Sequence, residues 1–223
     1  MTLFTGIIIQ PRVPGDAAGI EALRGLPTSV IGAVMGGRLV GTTALRPINR
    51  SPISTCGNAL TVRVRAGDNL LIHKALDMLE PGDVLVVDGE GDTSRALVGE
   101  IMMTSARVRR AVAFVMDGAI RDADAFEQHQ FPCWARGISL RGPYKDGPGS
   151  INVPVTIGGM PVNPGDIIVG DGDGIIAVPR AVAAEVARLA QAKVAHEQET
   201  IAAILAGTYS SAWVDAAISQ KDK

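Results

Sequence analysis

An arginine and an aspartate stand side by side at Arg121-Asp122, directly after the run Val115-Met116-Asp117-Gly118-Ala119-Ile120. A guanidinium and a carboxylate displayed together at a strand end can serve one small anion, with Arg121 gripping its oxygens and Asp122 holding a divalent cation. The spacing predicts a buried strand, a sharp Asp-Gly turn and then the pair. The plainer reading places Asp122 in the first turn of a helix over 123–128 and leaves Arg121 on the surface.

A second candidate is the stretch from Gly89-Glu90-Gly91 to Val98-Gly99-Glu100, which follows a Val-rich strand and leads into a helix near Gly99. Free backbone N–H groups at such a helix start, where glycine lets a ligand approach closely, suit a carboxylate or a phosphate. A nucleotide is not indicated, because Gly89 and Gly91 lack the third glycine of the dinucleotide pattern and no Gly-Lys-Ser/Thr occurs. Asp171-Gly172-Asp173-Gly174 fails as a calcium loop, since Ile175 and Val182 occupy the fifth and twelfth positions. His73, His129 and His196 fit no zinc spacing and read as surface or partly buried residues. Cys56 and Cys133 carry no nucleophile motif, and Ser29, Ser94 and Ser139 lack the nucleophile elbow, so covalent catalysis is unsupported. No glycine loop with an acidic ribose-binding partner suggests S-adenosylmethionine.

The elements that must position these groups are short. Strands are expected at 84–87, 111–115, 133–135, 153–155, 167–169 and 175–178, and helices at 69–79, 99–109, 123–128 and 180–205. Pro81-Gly82-Asp83 and Pro164-Gly165-Asp166 each open a tight turn into a buried strand and a Gly-rich exit. The flanks of the two copies differ, which argues for one strand-entry device used twice rather than a duplication. The helix over 180–205 has neither Gly nor Pro and stops at Gly207. Its polar second half is either solvated or seated on a neighbouring subunit through Val194, Ile201 and Leu205. Beyond it, Trp213 and Val214 suggest a short docking helix.

Composition bounds the function classes. The 223 residues, 47% of them hydrophobic, can bury a sizeable core in one domain spanning 1–223. Lys plus Arg (21) and Asp plus Glu (23) nearly cancel, so no global field draws nucleic acid or an anionic membrane. Aromatics at 4% do not provide stacking platforms for single strands. No signal peptide or spanning segment is read, and the two cysteines form no disulfide framework, so a cytoplasmic location is expected.

The ordered motifs Pro81 to Asp88, Ala96 to Glu100, Asp117 to Asp122, Phe131-Pro132-Cys133-Trp134-Ala135-Arg136-Gly137, Val153-Pro154-Val155, Gly158-Gly159, Pro164-Gly165-Asp166 and Asp171 to Gly174 resemble the RraA-like family. That family includes the class II 4-hydroxy-4-methyl-2-oxoglutarate / 4-carboxy-4-hydroxy-2-oxoadipate aldolases. The resemblance, running from about Thr61 to Pro179, implies a swivelling β/β/α fold with a long C-terminal helix. It implies a homotrimer or a hexamer made as a dimer of trimers, with residues 180–223 packing on a neighbouring subunit and active sites between subunits. It implies a Mg²⁺- or Mn²⁺-dependent lyase that cleaves a 4-hydroxy-2-oxo acid to pyruvate and decarboxylates oxaloacetate through the same enolate. In those terms Arg121 binds substrate and acts in catalysis, Asp122 holds the metal, and the amides of Gly99, Glu100, Ile101 and Met102 receive the pyruvate carboxylate. Glu100 acts as base through a bound water, Glu197 or Glu199 of a neighbour completes the outer shell of the metal, and a distal pocket lies near Arg136 and Arg141.

Two positions depart from the family pattern: Glu100 stands where several aldolases have Asp, and Val30-Ile31-Gly32-Ala33 stands where a Ser-Asp-Ala segment is expected. The founding RraA proteins inhibit an RNA-degrading endonuclease, so the alternative reading is a non-catalytic protein-binding regulator.

Overall fold

The computed structural model describes residues 6–37, 45–51 and 53–221. At its centre lies a strand that sequence reasoning missed, β3 (Thr55–Val64) in chain order after β1 (Ile7–Ile9) and β2 (Arg46–Pro47). Gly57-Asn58 inside it reads as loop punctuation, yet Gly57 is needed there. A Cβ at Gly57 would lie 2.4 Å from the carbonyl oxygen of Gly82, in the turn that leads into the neighbouring strand.

Around β3 the described residues form a ten-stranded mixed sheet. Its main path adds β4 (Asp83–Asp88), β6 (Ala113–Ile120), β7 (Cys133–Ile138) and β8 (Gly149–Ile151) in the order β1-β8-β3-β4-β6-β7-β2. The β3-β4-β6-β7 pairings are parallel. Off this path, β5 (Ala96–Val98) runs parallel to β6, and β11 (Ile167–Gly170) pairs antiparallel with both β3 and β12 (Ile175–Val178). A separate hairpin joins β9 (Val155–Ile157) to β10 (Met160–Val162).

Alternation along the strands splits the apolar residues between two faces. Leu60, Val62, Leu85, Val87, Phe114 and Met116 face α3 (Leu70–Met78), α4 (Glu100–Val108) and α5 (Ala123–Gln128), while Ala59, Val84, Val86 and Val115 face the β9–β10 hairpin and Trp134. A third core seats α1 (Ala17–Leu23), α2 (Thr28–Val34) and the first half of α6 (Ala183–Leu205) against β11 and β12. No helix among the described residues is long and apolar enough to cross a membrane.

Several expectations shift. The expected helix over 180–205 begins as a 3₁₀ turn at Arg180–Val182 before α6, and the strand expected at 153–155 starts only at Val155. Asp117-Gly118 is no turn: both lie within β6, where the register with β7 shifts between Met116 and Ala119. Gly118 is closely packed: a Cβ there would sit 2.7 Å from Leu97 Cδ1 and 3.1 Å from the Asp92 carbonyl oxygen. The two Pro-Gly-Asp copies do share one device. Gly82 and Gly165 take φ of +88° and +85°, and Asp83 and Asp166 accept the N–H groups of Glu80 and Asn163. Because β4 and β11 flank β3 in opposite directions, the likeness is local. The short helix beyond Gly207 exists as α7 (Ala212–Lys221), with Trp213 65% exposed in the single chain.

Phe114, fully buried, meets Phe131 edge-on at 5.0 Å between ring centroids and Phe126 at 6.2 Å. Phe114→Ala is expected to destabilise the fold by about 3–5 kcal/mol, read from the urea unfolding midpoint.

Candidate active site

Backbone register brings the two candidate segments together. In the parallel β5–β6 pair Val98 stands opposite Ile120, and the Arg121 N–H donates to the Val98 carbonyl at 3.0 Å. Gly99 is therefore beside Arg121, and the first turns of α4 and α5 start side by side at the carboxyl ends of parallel strands. Such ends are where open α/β sheets receive ligands.

Asp122 occupies the N-cap position of α5 but its side chain makes no capping bond to that helix. It adopts a left-handed backbone (φ 57°, ψ 41°), a conformation an aspartate tolerates better than most residues yet still at a cost of roughly 1–3 kcal/mol. From there its Oδ2 accepts the Glu100 N–H at 3.0 Å and lies 3.6 Å from Arg121 Nε. The side chain thus caps α4, a helix 22 residues earlier in the chain. Gly99 makes this possible, since a Cβ would lie 2.4 Å from Asp122 Oδ2 and 2.9 Å from Arg121 Cγ.

The remaining expected ligand groups fall into place unevenly. Ile101 and Met102 keep first-turn N–H groups with no intrahelical acceptor. The Met102 side chain is buried, so only its backbone is available, whereas the Ile101 side chain is exposed. The Glu100 carboxylate is half-exposed, with Oε1 3.9 Å from His129 Nε2. Glu197 and Glu199 lie on the second half of α6, paired with Lys193 at 3.0 Å and near His196 at 4.0 Å. The single chain does not assemble them with Asp122, and no group of three His, Cys, Asp or Glu that could hold a metal occurs among the described residues. The reason is architectural: α6 packs on α1 and α2, while α4 and α5 cover the other core.

A hard divalent cation still fits the donors present. Asp122 Oδ2 is committed to Glu100, whereas Oδ1 has no hydrogen bond among the described residues and its side chain is 43% exposed. One carboxylate oxygen with open surroundings suits Mg²⁺ or Mn²⁺, which retain waters and share their shell with substrate oxygens.

A cavity of about 170 Å³ opens beside the pair, lined by Gly99, Ile101, Met102 and Arg121 and continuing to Asn69, His73 and Lys145. Its size suits a small organic acid rather than a nucleotide. Arg136 and Arg141, the expected distal groups, do not line it. Arg136 is committed to the buried Asp117, whose other oxygen accepts the Gly158 N–H at 2.9 Å, on the hairpin side of the sheet. His73 and Lys145 had no sequence signal beyond a histidine within a helix and a lysine in the Gly/Pro-rich loop 142–148. Burial, and then the charge of Lys145, hold the His73 imidazolium below its usual range. Neither cysteine is poised as a nucleophile, because burial raises Cys56 to about 11 and drives Cys133 higher still.

The family model for RraA-like proteins, described as aldolase/RraA, matches residues 28–177. The chain belongs to the RraA-like family. A relative from Halalkalibacterium halodurans, named "Putative 4-hydroxy-4-methyl-2-oxoglutarate aldolase", is 38% identical over 179 residues, covering 80% of this chain and 85% of that protein. Among solved structures, an uncharacterized protein from Pseudomonas syringae aligns with a TM-score of 0.77 at 26% identity, covering 88% of this chain and 96% of the other. The RNA-processing inhibitor RraA from Thermus thermophilis aligns at 0.62 with 26% identity over 69% of this chain and 92% of its own. The mixed α/β fold with its long C-terminal helix is thus the RraA-like one, as the motifs implied.

The cavity geometry makes one local prediction. The His73 imidazole should titrate below 6.5 in ¹H–¹⁵N NMR spectra, and Lys145→Ala should raise that value by removing a neighbouring positive charge. An unmoved titration would mean that Lys145 does not face His73 in solution.

Proposed function

We propose that this RraA-like protein is a divalent-metal-dependent lyase that releases pyruvate from a 4-hydroxy-2-oxo acid, of the 4-hydroxy-4-methyl-2-oxoglutarate or 4-carboxy-4-hydroxy-2-oxoadipate type. One observation carries the reading: Arg121 and the first turn of α4 line one small cavity, and Asp122 accepts the Glu100 N–H of that same turn although 22 residues separate the two segments. The name of the relative at 38% identity supports the same reaction class.

Each group has a role that its position permits. The Ile101 and Met102 N–H groups, at the positive end of α4, receive the C1 carboxylate of the substrate. Asp122 Oδ1 would hold Mg²⁺ or Mn²⁺, with Glu197 or Glu199 of a neighbouring copy in its outer shell within a trimer or a dimer of trimers. When bound, the cation supplies Lewis-acid polarisation of the 2-oxo acid. Arg121 stabilises the negative charge that develops on the C2 oxygen as the C3–C4 bond breaks and its electron pair passes into the pyruvate unit. Glu100, between Gly99 and Ile101 of the cavity wall in the chain, takes up the proton lost by the C4 hydroxyl, and a proton returned to C3 completes pyruvate. Oxaloacetate would enter the same sequence with CO₂ as the leaving fragment.

A coupled lactate dehydrogenase assay with Mg²⁺ or Mn²⁺, set beside an EDTA control and a metal-only blank, tests the proposal. Arg121→Ala and Asp122→Ala are expected to lower pyruvate release by about 10²–10³-fold or more while the far-UV circular dichroism stays native. The structural likeness to the RNA-processing inhibitor keeps a regulator as the second reading. Tight capture of an RNA-degrading endonuclease, with turnover no greater than the blank on oxaloacetate and on both hydroxy acids, would put the regulator first.

A further inference from the structure

The other end of the sheet holds a second cleft that the scheme above does not use. It measures about 390 Å³ and shares no lining residue with the cavity at Arg121. Thr55, which opens β3, and Pro132, directly before β7, both line it. The cleft therefore lies at the amino ends of the parallel strands, opposite the carboxyl ends that lead to Arg121 and Asp122. Three basic side chains line it from three helix ends: Arg24 at the C-cap of α1, Arg107 in the last turn of α4 and His129 at the C-cap of α5. Among the described residues no carboxylate lines it.

Basic side chains near helix C-termini can serve simply to cap the last carbonyls. In α4 and α5 the backbone already does this. Arg110 and Gln130 take left-handed φ of 61° and 48° just past the two helices. The N–H groups of Arg110 and Ala111 then reach the Arg107 and Ala106 carbonyls at 2.9 and 3.0 Å, and those of Gln130 and Phe131 reach the Glu127 and Phe126 carbonyls at 3.0 and 2.9 Å. Both ends are Schellman turns, so the Arg107 and His129 side chains are not spent on them. Among the described residues the ion pairs at the cleft are Arg24 Nε with Glu21 at 3.0 Å and His129 with Glu100 at 3.9 Å, and Arg107 has none. The residues that close the two turns, Ala111 and Phe131, are buried and form an apolar floor with Pro132.

We propose that this cleft is a second ligand site, for a small organic anion whose carboxylate or phosphate lies among Arg24, Arg107 and His129 while its apolar body rests on Phe131 and Pro132. The volume falls within the range of small-molecule sites, about 300–1,000 Å³. Guanidiniums present planar forks of N–H donors that match carboxylate and phosphate oxygens, and the floor takes apolar ligand surface out of water. The cations come from both sides of the sheet, since α1 packs in the third core whereas α4 and α5 cover the opposite face. A bound anion thus ties three helix ends together. The site goes beyond the lyase reading and does not rest on it.

Calorimetry on the full chain with phenyl phosphate and benzoate tests the site, with inorganic phosphate as a charge without a body and benzyl alcohol as a body without a charge. The wild type and Arg121→Ala, whose other cavity has lost its guanidinium, are expected to bind the organic anions equally well, and the tighter of the two names the preferred group. Arg24→Ala and Arg107→Ala should each weaken that binding by about 10-fold or more while the far-UV circular dichroism stays native, and Arg107→Lys should recover part of the loss. Inorganic phosphate and benzyl alcohol should bind about 10-fold or more weakly than the tighter organic anion. In ¹H–¹⁵N spectra phenyl phosphate should shift the amides of Arg107 and Phe131 and leave those of Gly99 and Arg121 in place. Binding lost in Arg121→Ala but kept in Arg24→Ala and Arg107→Ala would move the anion to the other cavity and overturn the inference. So would the absence of saturable binding by either organic anion, or equally tight binding of inorganic phosphate or benzyl alcohol.

Discussion

The site depends on a single pairing: the parallel register that sets Val98 of β5 against Ile120 of β6. Each strand leads directly into a helix, so the register decides that two helix N-termini start side by side. A shift of one residue would turn the strand faces over and carry Arg121 away from Gly99. Everything chemical about Arg121 and Asp122 follows from their being the first residues past this pairing. The carboxylate of one helix start then finds the free N–H of the other within 3.0 Å.

That contact has a steric condition and a conformational cost, and both fall on named residues. Gly99 is the condition, because any side chain there would occupy the space of Asp122 Oδ2. Asp122 bears the cost through its left-handed backbone. Strain of this kind persists where the surroundings over-determine it, here through the β5–β6 pairing on one side and the α5 backbone on the other. Further out, the buried Asp68 performs the same service for loop 143–147, exchanging its hydration for backbone N–H groups and thereby shaping the far wall of the cavity.

The stretches legible in the sequence were those whose signals are local. The helix expected at 69–79 is α3, and Gly-free, Pro-free composition marked the long C-terminal helix. The Val/Ile runs marked β4, β11 and β12 nearly to their ends. The central strand was not legible, because Gly57-Asn58 looks like a turn unless one knows that Gly82 approaches within contact distance. For the same reason Asp117-Gly118 read as a turn when it is an irregular step within β6. A glycine needed for close packing and a glycine needed for a positive φ look alike in one dimension.

The sequence by itself determined the chemical inventory: an Arg-Asp pair past a buried strand, a glycine before a helix, no zinc pattern, no nucleotide loop, and ordered motifs sufficient for the family. Tertiary structure alone decided which of these groups meet. It joined Asp122 to the helix at Glu100 rather than to its own, assigned Arg136 to Asp117 instead of a ligand, and brought His73 and Lys145 to the cavity with Arg121. It also kept Glu197 and Glu199 on a helix seated against a different core. The physical reason is that residue types specify what a group can bind, while strand register and helix packing specify distance, and electrostatic and hydrogen-bond energies are functions of distance.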